Sequence, residues 1–195
     1  VVAQSVPTAD PNAEFAFQRE YPTGNLFANV TGYYTFNYGS TQLERTMTDV
    51  LAGKTSQQEV EALKDILSGQ DVSGSVVLTM RADAQLAAQQ ALGEREGSVV
   101  VLDVATGAVV AMYSFPTYDP NLVAVHDSVQ AGDVLNFLTN YPGKPLLANA
   151  YQERYMPGSS FKVITTGIAF ENGVTSLDRT FPVEREWTPP QTNDP

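Results

Sequence analysis

The sequence predicts an α+β protein with antiparallel strands, and three observations carry the prediction. Two β-branched-rich runs, Ser98–Val104 and Ala108–Ser114, flank the short Ala105-Thr106-Gly107 connection, the pattern of a β-hairpin. Apolar residues recur at helical spacing after Thr41, after Ser56 and after Ser159. The first 38 residues interleave Phe15, Phe17, Tyr21, Phe27, Tyr33, Tyr34, Phe36 and Tyr38 with prolines and glycines, which suits short strands and turns.

From Thr41 the pattern becomes helical: Leu43, Met47, Val50 and Leu51 share a face, and Gly53 supplies a stop. A second helix is expected over Ser56 to Leu67, with Ser56 and Glu59 at the spacing of a capping box. Gly69 and Gly74 bracket a linker. Beyond it the sequence predicts a strand over Ser75–Met80, a helix from Asp83 to about Leu92, and then the hairpin. A proline-marked loop, Phe115 to Pro120, follows. Residues 121–150 are ambiguous, with Leu135, Phe137 and Leu138 pointing to a short helix. A last helix begins near Ser159, has Phe161, Ile164, Ile168 and Glu171 along one side, and ends at Asn172-Gly173. The tail after Phe181 is rich in Pro and Thr and has no period.

Composition removes whole classes of chemistry. Eleven basic residues against 22 acidic ones give a net charge of −11, so no basic surface exists for a nucleic-acid backbone. With no cysteine, disulfides, thiol nucleophiles and thiolate metal sites are excluded. His126 stands alone, which excludes multi-histidine metal sites. It reads as a surface or packing residue. Acid–base work falls to Lys, Tyr, Asp or Glu. Gly53-Lys54-Thr55 lacks the earlier glycine of a phosphate-binding loop and reads as a helix end. Asn29-Val30-Thr31 matches a glycosylation sequon by pattern only, and Asp103, Glu94 and Glu96 read as structural or solvated carboxylates. No 18-residue apolar stretch occurs, the length a membrane span needs.

One constellation remains: Ser159-Ser160-Phe161-Lys162, after Pro157-Gly158, at the start of a helix. Residues three apart share a helix face, so Ser159 Oγ and Lys162 Nζ can meet. A lysine amine accepts a proton when burial or nearby positive charge lowers its pKa. Free N–H groups at the helix start stabilise the oxyanion formed when a serine attacks a carbonyl. Four lysines and 12 serines give about 0.25 chance Ser-x-x-Lys matches, so spacing alone is weak. It leaves equally open that Ser159 is a helix N-cap and Lys162 a solvated first-turn residue. Ser160, only two positions from the lysine, faces elsewhere.

Beyond the spacing, the chain resembles a known family. Ser-x-x-Lys belongs to the signature of penicillin-binding proteins and class A β-lactamases. Pro157-Gly158-Ser159-Ser160-Phe161-Lys162-Val163, Leu147-Ala148-Asn149-Ala150 with Tyr155, the stretch from Gly97 to Met112, and Pro116 to Asn121 are all similar to penicillin-binding-protein segments, in order. Arg19 to Pro22, Gly32-Tyr33, Tyr38-Gly39 and Leu43-Glu44 resemble the non-catalytic, dimerisation-like pedestal of the monofunctional class B members, of the cell-division type.

The resemblance implies a pedestal over residues 1–72, then the first half of a transpeptidase domain over 73–195. It implies a D,D-transpeptidase in peptidoglycan synthesis and division, with D-Ala-D-Ala stem peptides as substrate and β-lactams as trapping ligands. Ser159 would be the nucleophile and Lys162 its base. Arg19 and Glu44 would hold the pedestal together. No metal or organic cofactor is implied. Divisome proteins are expected partners of the pedestal, and an anchor in the cell membrane is expected upstream, with the site on the extracytoplasmic side.

No Ser-x-Asn and no Lys-Thr-Gly occurs in the sequence, although the family carries both after the nucleophile helix. The expectation is that they lie beyond Pro195, that this chain alone has an incomplete site, and that it exposes apolar surface. A β-lactam-sensing receptor or a β-lactamase would share the Ser159/Lys162 pair, and an inactive scaffold binding divisome partners is a third reading. The pedestal disfavours the lactamase.

Overall fold

The computed structural model describes residues 1–9, 13–55 and 73–183, which fall into two compact units, Val1–Arg154 and Tyr155–Pro195. The expected helix over Ser56 to Leu67 and the linker residues 69–72 lie outside the described residues, as does most of the tail after Phe181.

In the first unit β1 (Gln4–Pro7) pairs antiparallel with β2 (Phe17–Glu20), and β3 (Tyr34–Thr35) with β4 (Gly39–Ser40). Between the pairs a 3-10 turn, Gly24–Leu26, leads into α1 (Ala28–Thr31). The helix expected after Thr41 forms as two pieces, α2 (Gln42–Thr46) and α3 (Thr48–Leu51). Threonine causes the break: Thr48 Oγ1 donates back to Glu44 O at 2.6 Å and Arg45 O at 2.9 Å, and such back-bonding bends helices.

The hairpin is present as β5 (Gly97–Leu102) and β6 (Val109–Phe115), with an irregularity between Val101 and Leu102. Asp103 closes its turn, its Oδ1 accepting from Ala105 N at 2.8 Å and Thr106 N at 3.0 Å. Against it packs α4 (Ala82–Leu92), where Ala88, Ala111 and Tyr113 form a buried cluster joined by Leu26, Leu92 and Val99. Alanine on both surfaces lets helix and strand approach closely.

Contrary to the sequence expectation, Ser75–Met80 forms no strand. Among the described residues its hydrogen bonds to β6 are limited to Thr79 Oγ1 donating to Val109 O, and two residues after Thr79, just past the segment, Arg81 N donates to Val110 O. The chain then turns into α4, and the next strand position is taken by a side chain. Fully buried Gln85 accepts from Met112 N at 2.8 Å and donates to Met112 O at 2.8 Å and Leu26 O at 2.9 Å. An amide side chain thus does the work of a paired peptide.

Residues 121–150 hold more helix than expected: α5 (Ser128–Asn140), started by Asp127 Oδ1 accepting from Val129 N and Gln130 N, and α6 (Asn149–Gln152). Its core face is Ala131, Val134, Leu135 and Leu138, whereas Phe137 stays 63% exposed. This face closes on Ala28, Tyr33, Tyr118 and Val123, with Tyr33 and Tyr118 edge to face at 6.2 Å. Residues 13–55 and 97–154 are therefore one packed body.

The second unit contains a 3-10 turn, Gly158–Ser160, continuing into α7 (Phe161–Glu171). The expected apolar side is there and it is bare: Phe161, Ile164 and Ile168 are each about half exposed, and Val163 is 77% exposed. A helix apolar on several sides is built to be covered. Among the described residues no helix is long and apolar enough to cross a membrane.

Candidate active site

Gly158 has a φ of +52°, a left-handed conformation that suits glycine, and this starts the turn that carries Ser159. Ser160 Oγ donates to Pro157 O, so that hydroxyl is spent holding the turn. Ser159 lies in the turn itself and makes no N-cap bond, while Lys162 is the second residue of α7. Both side chains are exposed. The sequence places them one turn apart, but among the described residues no hydrogen bond joins Ser159 Oγ to Lys162 Nζ. The Ser159 N–H likewise donates to no described group, leaving it free for an oxyanion. A shallow hollow beside Lys162, lined by Val163, Thr166, Gly167 and Phe170, does not include Ser159.

In the first unit the approach segment is held by buried polar groups. Asn149 Nδ2 donates to Phe115 O at 3.0 Å, Ala150 N to Ser114 Oγ at 3.1 Å, and Tyr151 OH to Asn29 O at 3.2 Å. Sequence reasoning did not single out Ser114, Tyr151 or Gln85 as polar anchors. In the sequence Asn149 stands out only through the family resemblance, and Asn29 only as part of a sequon. Here Asn29 is buried at 5% exposure, with Nδ2 3.4 Å from Ser114 O.

Arg19 and Glu44 meet at 2.7 Å through both Nε and a terminal guanidinium nitrogen. Glu44 Oε1 also accepts from Tyr21 OH at 3.0 Å, and that hydroxyl accepts from Tyr34 N at 2.8 Å. Burial, reinforced by the neighbouring Glu44 carboxylate, pushes the Tyr21 phenol well above its ordinary value. Asn121 pairs its amide with both backbone groups of Tyr21, at 2.8 and 2.9 Å. His126 packs on Phe15 and sits 3.1 Å from Phe17 O, as a packing residue would. Backbone N–H groups of Thr106 and then Ala105 hold the exposed Asp103 carboxyl below its usual range. Among the described residues no group of three or more potential metal ligands exists.

The family model for the penicillin binding protein A dimerisation domain matches residues 1–77, and that for the penicillin binding protein transpeptidase domain matches residues 97–193. The chain is 40% identical over 192 residues to the peptidoglycan D,D-transpeptidase PbpA of Mycolicibacterium smegmatis, covering 92% of this chain and 38% of that protein. It is 31% identical to the peptidoglycan D,D-transpeptidase MrdA of Escherichia coli, covering 84% and 30%. The structure of penicillin-binding protein A from M. tuberculosis as a penicillin G acyl-enzyme complex superimposes with a TM-score of 0.83 at 37% identity, over 90% of this chain and 41% of that one.

The chain belongs to the penicillin-binding proteins, in the class B group that carries a dimerisation domain ahead of the transpeptidase domain. It is a penicillin-binding-protein-A-like member, and it spans about two-fifths of the length of the PbpA relatives it matches.

Proposed function

We propose that the whole protein is a serine D,D-transpeptidase of peptidoglycan, with Ser159 as nucleophile and Lys162 as its base. Ser159 Oγ attacks the carbonyl of the penultimate D-alanine, and its proton passes to Lys162 Nζ. The C–N bond to the terminal D-alanine breaks, and Lys162 returns the proton to the leaving amine. An amine of a neighbouring stem peptide then attacks the ester, and Lys162 Nζ carries the proton it loses to Ser159 Oγ as the bond between the acyl carbon and Oγ breaks. The Ser159 N–H donates to the transient oxyanion. β-Lactams follow the first half of this path, and ring opening leaves the drug on Ser159.

The observation that carries the reading is local. Pro157-Gly158-Ser159-x-x-Lys162 opens α7 with an unengaged serine hydroxyl, in a chain 37% identical to a protein solved as its penicillin G acyl-enzyme. Residues 1–72 act as the pedestal, where divisome partners bind, and 73–195 belong to the catalytic domain. The protein works at the extracytoplasmic face of the cell membrane. The bare faces of α7 and β5 are surfaces that further catalytic-domain elements cover.

Intact-mass measurement on the full-length protein with benzylpenicillin tests this. A stable adduct of one drug per chain, abolished in Ser159→Ala, is expected. Rapid turnover with no adduct would instead favour a lactamase, and complete inertness a scaffold.

A further inference from the structure

α5 carries apolar residues on two sides, and the fold uses only one of them. Its core side, Ala131, Val134, Leu135 and Leu138, closes on the first unit. Residues four apart lie one turn apart on a helix, so Val129, Asp133 and Phe137 run down the other side, and Tyr141 continues the line past the last turn. Val129, Phe137 and Tyr141 are 71%, 63% and 45% exposed, and Asp133 is exposed between the first two. The Phe137 and Tyr141 rings meet with centroids 5.6 Å apart, which makes them one surface. An apolar stripe on the solvent side of an already packed helix marks a contact surface.

The charge along this stripe has one sign. Asp127 caps the first turn, Asp133 sits mid-helix, and the last turn holds no basic residue to meet its free carbonyls. No Lys or Arg occurs between Arg95 and Lys144. Among the described residues the ion pairs are Arg19–Glu44 and Arg81–Asp83, and Asp133 belongs to neither. Asp133 and Phe137 stand one turn apart, so a single guanidinium can bond the carboxylate and lie against the ring. An ammonium would serve the carboxylate alone. A second copy of this chain is a poor fit, because a two-fold contact brings the acidic face onto itself.

We propose that the Val129–Asp133–Phe137–Tyr141 face of α5 is a docking surface for an amphipathic helix of another protein, one that carries arginine among aliphatic residues. The arginine pairs with Asp133 and stacks on Phe137, and the aliphatic residues cover Val129 and Tyr141. The surface lies in the segment matched as the transpeptidase domain, outside the dimerisation segment, and it is independent of the chemistry at Ser159.

The test is fluorescence anisotropy of two labelled synthetic helices with the full-length protein. One helix is built from leucine, alanine and arginine, and its twin has glutamate in place of every arginine. The arginine helix should bind and the glutamate twin should not. Phe137→Ser and Asp133→Asn, both at exposed positions, should each weaken binding about tenfold. Asp133→Lys should lose the arginine helix and take up the glutamate twin, an exchange that general attraction to an acidic protein does not produce. Val104→Ser, at a fully exposed apolar position in the hairpin turn, should bind as the wild type does. No binding by the wild type, or binding that survives the α5 substitutions, overturns the proposal. So does Phe137→Cys that a thiol reagent cannot label, which would mean that the rest of the chain covers the face. Self-association lost in Phe137→Ser would assign the face to a second copy and overturns it as well.

Discussion

The two edges of the β5–β6 hairpin are finished differently. Along the outer edge of β6 every second residue meets a partner. Val110 O accepts from Arg81 N, Met112 exchanges two bonds with Gln85, and Ser114 O faces Asn29 Nδ2. The partners are one backbone amide and two side-chain amides, so the edge is sealed without another strand. Val100 is opposite Met112 in the register. Since the polar groups of Met112 point toward Gln85, those of Val100 point out of the hairpin on the other side. Among the described residues nothing bonds them, and Val100 and Leu102 are 43% and 54% exposed. Polar side chains close an edge for good, whereas a bare apolar strand keeps it open to a neighbour.

Substitution measures how unequal the edges are. Gln85→Ala should have the largest effect: it strands Met112 N, Met112 O and Leu26 O in a dry environment and should cost about 3 kcal/mol in urea denaturation. A loss under about 1 kcal/mol would mean that water replaces the amide and that the edge is not sealed. A smaller effect belongs to Asp103, in the turn that joins the edges. Its folded pKa is depressed, so its contribution is present above the ordinary carboxylate range and is lost as the pH falls through that range. Urea midpoints between roughly pH 6 and roughly pH 3 should show an acid-side loss that is weaker in Asp103→Asn. Val100→Thr should change least in the 195-residue chain, within about 0.5 kcal/mol, because its face is bare. A large cost there would show that the β5 edge is covered after all.

What the sequence disclosed follows from the range of the forces involved. The hairpin and α4 were legible to within a few residues, because β-branched runs, a short glycine turn and a local apolar period decide them. The 13-residue α5 was also locally encoded, by the Asp127 cap and the Ala131, Val134, Leu135 and Leu138 face, but exposed Phe137 blurred its stripe. The strand expected over Ser75–Met80 failed for a reason no window of sequence contains: Gln85 had taken the next position on β6. Ser159 and Lys162 were picked out by spacing and motif alone. The buried polar contacts that hold α6 were not, since Asn29, Ser114 and Tyr151 meet only after the chain has folded.

The bare β5 edge also bears on how molecules of this protein meet one another. Ser98-Val99-Val100-Val101-Leu102 has no charge and no proline, and a strand of that kind with one edge open is a template for cross-chain stacking into fibrils. Asp103 is the charge that ends the run. The same N–H bonds that close the turn favour its ionised form, and mutual repulsion between these carboxylates guards the strand. Protonation of Asp103 weakens the turn and removes the repulsion together, and precipitation in acid would begin at this strand.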